Sequence, residues 1–234
     1  MTKLEIRGAA AAFLLSPLML ACVSAKLAEE PAAAVPDRQP AAAAPAEHQH
    51  VVATPAAAAP VAAHQHMPGM AMPTIPRGAL YTAADVHFMQ GMIAHHGQAI
   101  HMSRLAAARG ANPRVLRFAT KIDQSQEVEI GQMQDWLTSN GQEAPEAESW
   151  RTMSMPGMLT AEQLAKLDAA KGVEFDRQFL TLMIQHHQGA LKMVKDLFAS
   201  PLAAQDVNVS VFATDVEITQ SAEIEIMQRM LDDL

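Results

Sequence analysis

Histidine and methionine are the residues whose number and spacing could do chemistry here: ten histidines and sixteen methionines among 234 residues. Two adjacent pairs, His95-His96 and His186-His187, each have a methionine three residues before the first histidine, Met92 and Met183. Imidazole nitrogen takes Cu(I), Cu(II) or Zn(II), whereas a thioether is a soft donor that favours Cu(I). Carboxylate di-iron bundles place glutamate in that slot, as Glu-x-x-His. From residue 78 onward no histidine has a glutamate three residues before it. Iron oxidation is therefore disfavoured, and copper is the expected metal.

The same residues belong to a repeat. Residues 85–102 align with 176–193 at an offset of 91, matching Phe88, Met92, His95, Ala99 and Met102 to Phe179, Met183, His186, Ala190 and Met193. A second alignment, at an offset of 94, matches Phe118, Gln126, Glu129 and Met133 to Phe212, Gln220, Glu223 and Met227. The unit is a helix pair used twice. Within both helices of each pair the steps of three and four residues trace one heptad seam, which must face inward, through Gln126 and Gln220 in the second helices. Along the seams lie Asp85, Asp176, Glu129 and Glu223, expected to support the histidines, with Glu129 and Glu223 as the partners of His95 and His186. Burying such groups alone costs several kcal/mol, so they answer one another, water or a metal. A His–Glu hydrogen-bond network without metal accounts for the seam almost as well.

Local signals mark the helix ends. Thr82 with Asp85 reads as a capping box. Gly110 reads as a stop, and Asn112-Pro113 as a cap followed by proline at the first helical position. Asp206 holds the aligned cap position, and Thr160 with Gln163 opens a short helix that breaks near Gly172. The predicted long helices cover 82–109, 113–139, 173–199 and 207–233, each about 40 Å at 1.5 Å per residue. The expected fold is all-α, an antiparallel four-helix bundle over 78–234.

The remaining third carries an address and more of the same donors. Lys3 and Arg7 precede an uncharged stretch, 8–24, too short to span a bilayer, which needs about 20 apolar residues. It suits a secretory signal peptide. Its end, Leu18-Met19-Leu20-Ala21-Cys22, resembles a bacterial lipobox, with Cys22 as the lipidated residue. Residues 1–22 are thus read as a signal, and the protein as exported to the periplasm or cell envelope and held there by a lipid anchor. Residues 23–77 are rich in alanine and proline; repeated prolines remove amide donors, so a disordered linker is expected. It repeats His48-Gln49-His50 as His64-Gln65-His66, running on into Met67, Met70 and Met72. Met153, Met155 and Met158, between the repeats, have the same Met-Pro-Gly-Met character. With no core to fill, these segments read as metal-capturing. A net charge of −8 speaks against a nucleic-acid partner. A single cysteine excludes disulfide frameworks and cysteine zinc clusters. No nucleophile-plus-base constellation, phosphate loop or nucleotide fingerprint is visible, so no enzyme is expected.

Phe-x-x-x-Met-Ile-x-His-His-x-x-Ala-x-x-Met, from Phe88 to Met102, and Gln-x-x-Glu-Ile-x-x-Met, from Gln126 to Met133, resemble signatures of the bacterial DUF305 family. The resemblance covers about residues 80–234. It implies a ferritin-like helical bundle and, through a branch of exported copper-binding proteins of the CopM type, copper ligation at Met92, His95, His96, Met102, Met183, His186, His187 and Met193. Lys192 departs from the repeat, standing where the first copy has His101. The expected function is capture or sequestration of Cu(I) or Cu(II) in copper tolerance, with copper ions and other copper-handling proteins as partners. Two other readings stay open: a metal-dependent redox enzyme using the bundle interior, and a metal-free structural or adaptor lipoprotein.

Overall fold

The computed structural model describes residues 72–234. The expected signal peptide, Cys22, and the donors His64, His66, Met67 and Met70 lie outside the described residues. Among the described residues the helices are α1 (Ala83–Ala108), α2 (Pro113–Ser139), α3 (Ala161–Ala169), α4 (Val173–Ala199) and α5 (Val207–Asp232), with a 3-10 helix at Ala147–Arg151. There is no strand among the described residues. No described helix is long and apolar enough to cross a membrane.

The caps form as their residue types dictate. Thr82 and Asp85 make the reciprocal capping box of α1. The Asn112 side chain accepts from the amides of Arg114 and Val115, and Asp206 does the same for Asn208 and Val209. Gly110 and Gly172 take φ of 68° and 57°, the left-handed region that a side chain disfavours, and so punctuate the chain before α2 and α4.

Each repeat folds as an antiparallel pair, α1 with α2 and α4 with α5, and the pairs join through α1 against α4. The apolar core falls into two halves. One gathers Val86, Met92, Met133, Trp136, Val194 and Phe212. The other gathers Met102, Phe118, Ile122, Phe175, Met183 and Met227. Between them lies a polar layer of His95, His96, His186, His187, Gln126, Gln220 and Glu223, all buried. The heptad seams place that layer; the apolar halves on either side hold it away from water.

Three expectations need correction. First, α1 is buried well beyond its seam: every residue from 88 to 100 is buried. The stretch between α2 and α3 covers its outer face. Gln90 donates to the Glu143 carbonyl at 2.8 Å, and Gln98 exchanges hydrogen bonds with the backbone of Leu159 at 3.1 and 2.7 Å. Glycine makes the approach possible, since a Cβ on Gly97 would overlap the Ala147 carbonyl. Second, Asp85 and Asp176 are occupied elsewhere. Asp85 accepts the Ala204 amide at 2.6 Å, and Asp176 accepts the Asn112 amide at 3.2 Å, so each fastens the helix connection of the other repeat. Each lies about 15 Å along its helix from the histidines, ten residues at 1.5 Å. Third, packing begins before residue 78: Ile75 rests on the core and Gln142 donates to the Thr74 carbonyl at 3.0 Å.

Candidate metal centre

The pairing α1 against α4 brings His95 and His186 face to face, ring centroids 3.7 Å apart and planes 40° to one another. All four histidines of the two motifs have zero exposure. Their hydrogen bonds define where each ring keeps its proton. His95 Nε2 lies 3.0 Å from the Pro156 carbonyl, which can only accept, so Nε2 carries the hydrogen and donates. His96 likewise donates to Glu129 at 2.7 Å, and His187 to Glu223 at 2.9 Å. The Nδ1 atoms of His95, His96 and His187 are all buried without a hydrogen-bond partner, and in His95, donating from Nε2, Nδ1 keeps its lone pair. His186 makes no well-formed hydrogen bond at either nitrogen, only a weak approach to the His95 backbone. The layer presents imidazole lone pairs that no donor satisfies.

The expected carboxylate pairing shifts by one residue: Glu129 and Glu223 hold His96 and His187, not His95 and His186. Because α1 and α4 face each other through His95 and His186, the next residue along, about 100° around the helix, turns toward the helix paired with it. The acids wait there. These are carboxylate–histidine contacts of the kind that fix the tautomer and orientation of a metal-ligating ring.

Burial keeps the His95 and His186 rings neutral. The His95 pKa is lowered to about 3, by desolvation first and then by the neighbouring His96. His186 is held well below its ordinary value by desolvation and then by His95. At neutral pH no proton competes for the lone pairs of these two rings. Burial alone would raise the Glu223 carboxyl, but the hydrogen bond and charge of His187, with Lys121, outweigh it and hold it low.

Methionine sulfur surrounds the layer. Met92 and Met183 are fully buried one turn before His95 and His186, on the same helix faces. The pair is split between the two apolar halves, Met92 and Met193 in one, Met102 and Met183 in the other. The methionines between the repeats are not free of packing duty, contrary to expectation. Met153 is buried against Ala94, and Met155 packs on the core beside Gly91, as does Met193. Met155 precedes the Pro156 whose carbonyl holds His95. Among the described residues no three histidine, cysteine, aspartate or glutamate side chains converge as a metal cluster. A metal in this layer would meet imidazoles with thioether nearby, a donor set better suited to soft Cu(I) than to Zn(II).

Other expected residues stand apart. Met72 is exposed. His101 stacks on Trp150 at 4.9 Å, away from the layer, beside a cleft of about 380 Å³ lined by Arg104 and Arg151. Two contributors escaped the sequence reading, the Pro156 carbonyl and Lys121. The latter was signalled by the repeat itself, where Asp215 aligns with it.

The family profile of DUF305, a domain of unknown function, matches residues 85–231. The chain belongs to the DUF305 family. A DUF305 fragment from Deinococcus radiodurans is 32% identical, with a TM-score of 0.57 over 66% of this chain and 99% of that one. A candidate secreted DUF305 protein from Streptomyces coelicolor is 30% identical, with a TM-score of 0.56 over 64% and 93%. CopM in its Cu(I)-bound form is 28% identical, with a TM-score of 0.51 over 64% and 96%; its Cu(II)-bound form gives 27% and 0.52 over the same shares. No curated protein matches the chain.

Proposed function

We propose that this DUF305 protein is an exported copper-binding protein that captures Cu(I) and Cu(II) and lowers the free metal around it. The observation that carries the reading is the set of buried, unpartnered imidazole nitrogens in the polar layer. A folded chain leaves such groups unsatisfied at a cost of about 1–3 kcal/mol each, which bound metal removes. His95, His96, His186 and His187 would supply nitrogen, with sulfur from Met92, Met183 and the neighbouring Met102, Met155 or Met193. Glu129 and Glu223 hold two of the rings in the ligating tautomer. The segment with His64, His66, Met67, Met70 and Met72 would make the first capture. The CopM structures with Cu(I) and Cu(II) support the reading from outside the chain.

Export and lipid attachment at Cys22 are part of the same proposal, supported by the signal-like first 22 residues and by the candidate secreted relative. We read the protein as binding without turnover, because its sequence carries no nucleophile-plus-base constellation, phosphate loop or nucleotide fingerprint. The test is a titration of the mature chain with Cu(I), Ag(I) and Zn(II), repeated on a His95→Ala, His186→Ala double variant. Loss of at least one soft-ion equivalent, with helicity retained, is the expected outcome. Unchanged stoichiometry and affinity would remove the polar layer from the reading and leave only the tail. Oxygen consumption with Cu(I) under the same conditions separates binding from oxidase turnover.

A further inference from the structure

The repeat makes the two His–Glu pairs equivalent in sequence, yet their surroundings differ. In the second pair Glu223 is 3% exposed, and its free oxygen Oε1 lies 3.3 Å from the Lys121 ammonium. In the first pair Glu129 is 26% exposed. The residue aligned with Lys121 at the 94-residue offset is Asp215, an acid. Glu129 and Asp215 both line an open groove of about 1050 Å³ between α2 and α5. Asp135 and Asp206 line it too, and no lysine or arginine does. One half closes its carboxylate with a cation of the protein's own. The other half presents carboxylates and open space where the repeat calls for that cation.

We propose that this groove is the port of the polar layer. A free soft monovalent cation, Cu(I) or Ag(I), enters and leaves past Asp215 and Glu129 to reach His96, while Lys121 shuts the equivalent route to His187. The inference rests on the metal-binding reading and adds to it which histidine exchanges. Four carboxylates with no base among them concentrate cations at the groove and speed their arrival, an effect worth about tenfold or more in on-rate. Carboxylate oxygen is a hard donor and holds a soft ion only weakly, so the ion passes on to imidazole rather than stopping at the mouth. On the other side the Lys121 ammonium both repels an arriving cation and occupies the carboxylate oxygen that would receive it. The partial exposure of Glu129 gives the His96 contact access to solvent that the His187 contact lacks.

Nitrogen-15 NMR of the imidazoles in the full mature chain tests this with two readouts. In the metal-free protein the Nε2 proton of His96 exchanges with solvent faster than that of His187. Asp215→Lys, an exposed position, slows His96 to the His187 rate, and Asp215→Asn gives an intermediate rate. Glu217→Lys, the same change of charge at an exposed position outside the groove, leaves it unchanged. With Ag(I) added below one equivalent, His96 responds before His187, and Asp215→Lys slows that response by about tenfold, the low end of electrostatic steering. Equal proton exchange at the two histidines, or an Asp215→Lys effect no larger than that of Glu217→Lys, overturns the port. Faster exchange at His96 with no response of either histidine to Ag(I) overturns instead the metal reading on which the cation rests.

Discussion

Glu129 and Glu223 perform one task in two environments, and the difference sets what their removal costs. Glu223→Ala strands the His187 Nε2–H in an interior that water does not reach, a loss of about 1–3 kcal/mol. Glu129→Ala costs less, because the quarter-exposed site admits water to His96. Denaturant titration of the two variants should show that order, and equal losses would mean that Glu223 is solvated in solution. The thioethers ask a different question. Replacing Met92 and Met183 together by leucine nearly preserves volume, a swap that usually costs under about 1.5 kcal/mol at each site. Affinity for Cu(I) at the bundle, measured without the N-terminal segment, should fall while any Zn(II) binding through the histidines stays. If Cu(I) affinity is unmoved, these sulfurs are packing alone. The histidines also fix the pH response of the metal-free protein. With His95 lowered from 6.5 to about 3 and His186 lowered well below 6.5, the unfolded chain binds protons that the folded chain refuses once pH falls below 6.5. Stability is then fully present above 6.5 and declines steadily as pH drops toward the folded values. Denaturation midpoints at about pH 8 and about pH 5 check the sign. A His95→Gln, His186→Gln variant should flatten the dependence, and equal wild-type midpoints would show that the rings charge without penalty.

At the scale of elements, the helices were legible because their ends are decided locally. Thr82 with Asp85, Asn112 with Pro113, and Asp206 each satisfy amides within one turn, and the observed bounds of α2 and α4 coincide with those read from sequence. The seam was legible for the same reason, as a period in one strand of text, and it placed His95, His186, Gln126 and Gln220 inside correctly. What period cannot show is the covering of the outer face of α1, because the stretch through Met153, Pro156 and Gly157 has no repeat to read. Its contacts are made by backbone, to Gln90, Gln98 and His95, and by glycines that leave room. The shift of the acids from the first to the second histidine of each pair escaped for a related reason: a heptad names a face, not the partner helix on it. Gly189 tests the close approach. A Cβ there would overlap the Pro156 carbonyl, so Gly189→Ala must push the connector off α4. Overpacking of this kind costs about 1–3 kcal/mol. Hydrogen exchange at the Leu159 amide, bonded to Gln98 in the native protein, should accelerate well before the amides within α4. Uniform loss of protection across the bundle would mean that the connector and helices form one cooperative unit.

For the whole molecule, the division of labour proposed here is between a bundle that stores metal and an N-terminal segment that collects it. The two duties should separate under truncation, and the place of the cut matters. Removing residues 23–71 takes away His64, His66, Met67 and Met70 and should lower copper stoichiometry while leaving thermal unfolding of the bundle unmoved. Extending the cut through residue 77 removes Ile75 from the core and the Thr74 carbonyl from Gln142. Partial burial of an isoleucine and one hydrogen bond together are worth about 1–2 kcal/mol. The longer truncation should therefore melt several degrees lower than the shorter one yet bind the same metal, apart from what Met72 contributes. Calorimetry of both, with Cu(I) titrations alongside, reads the two effects independently. If the shorter cut already lowers the melting temperature, the collecting segment packs on the bundle, and storage and capture belong to one surface.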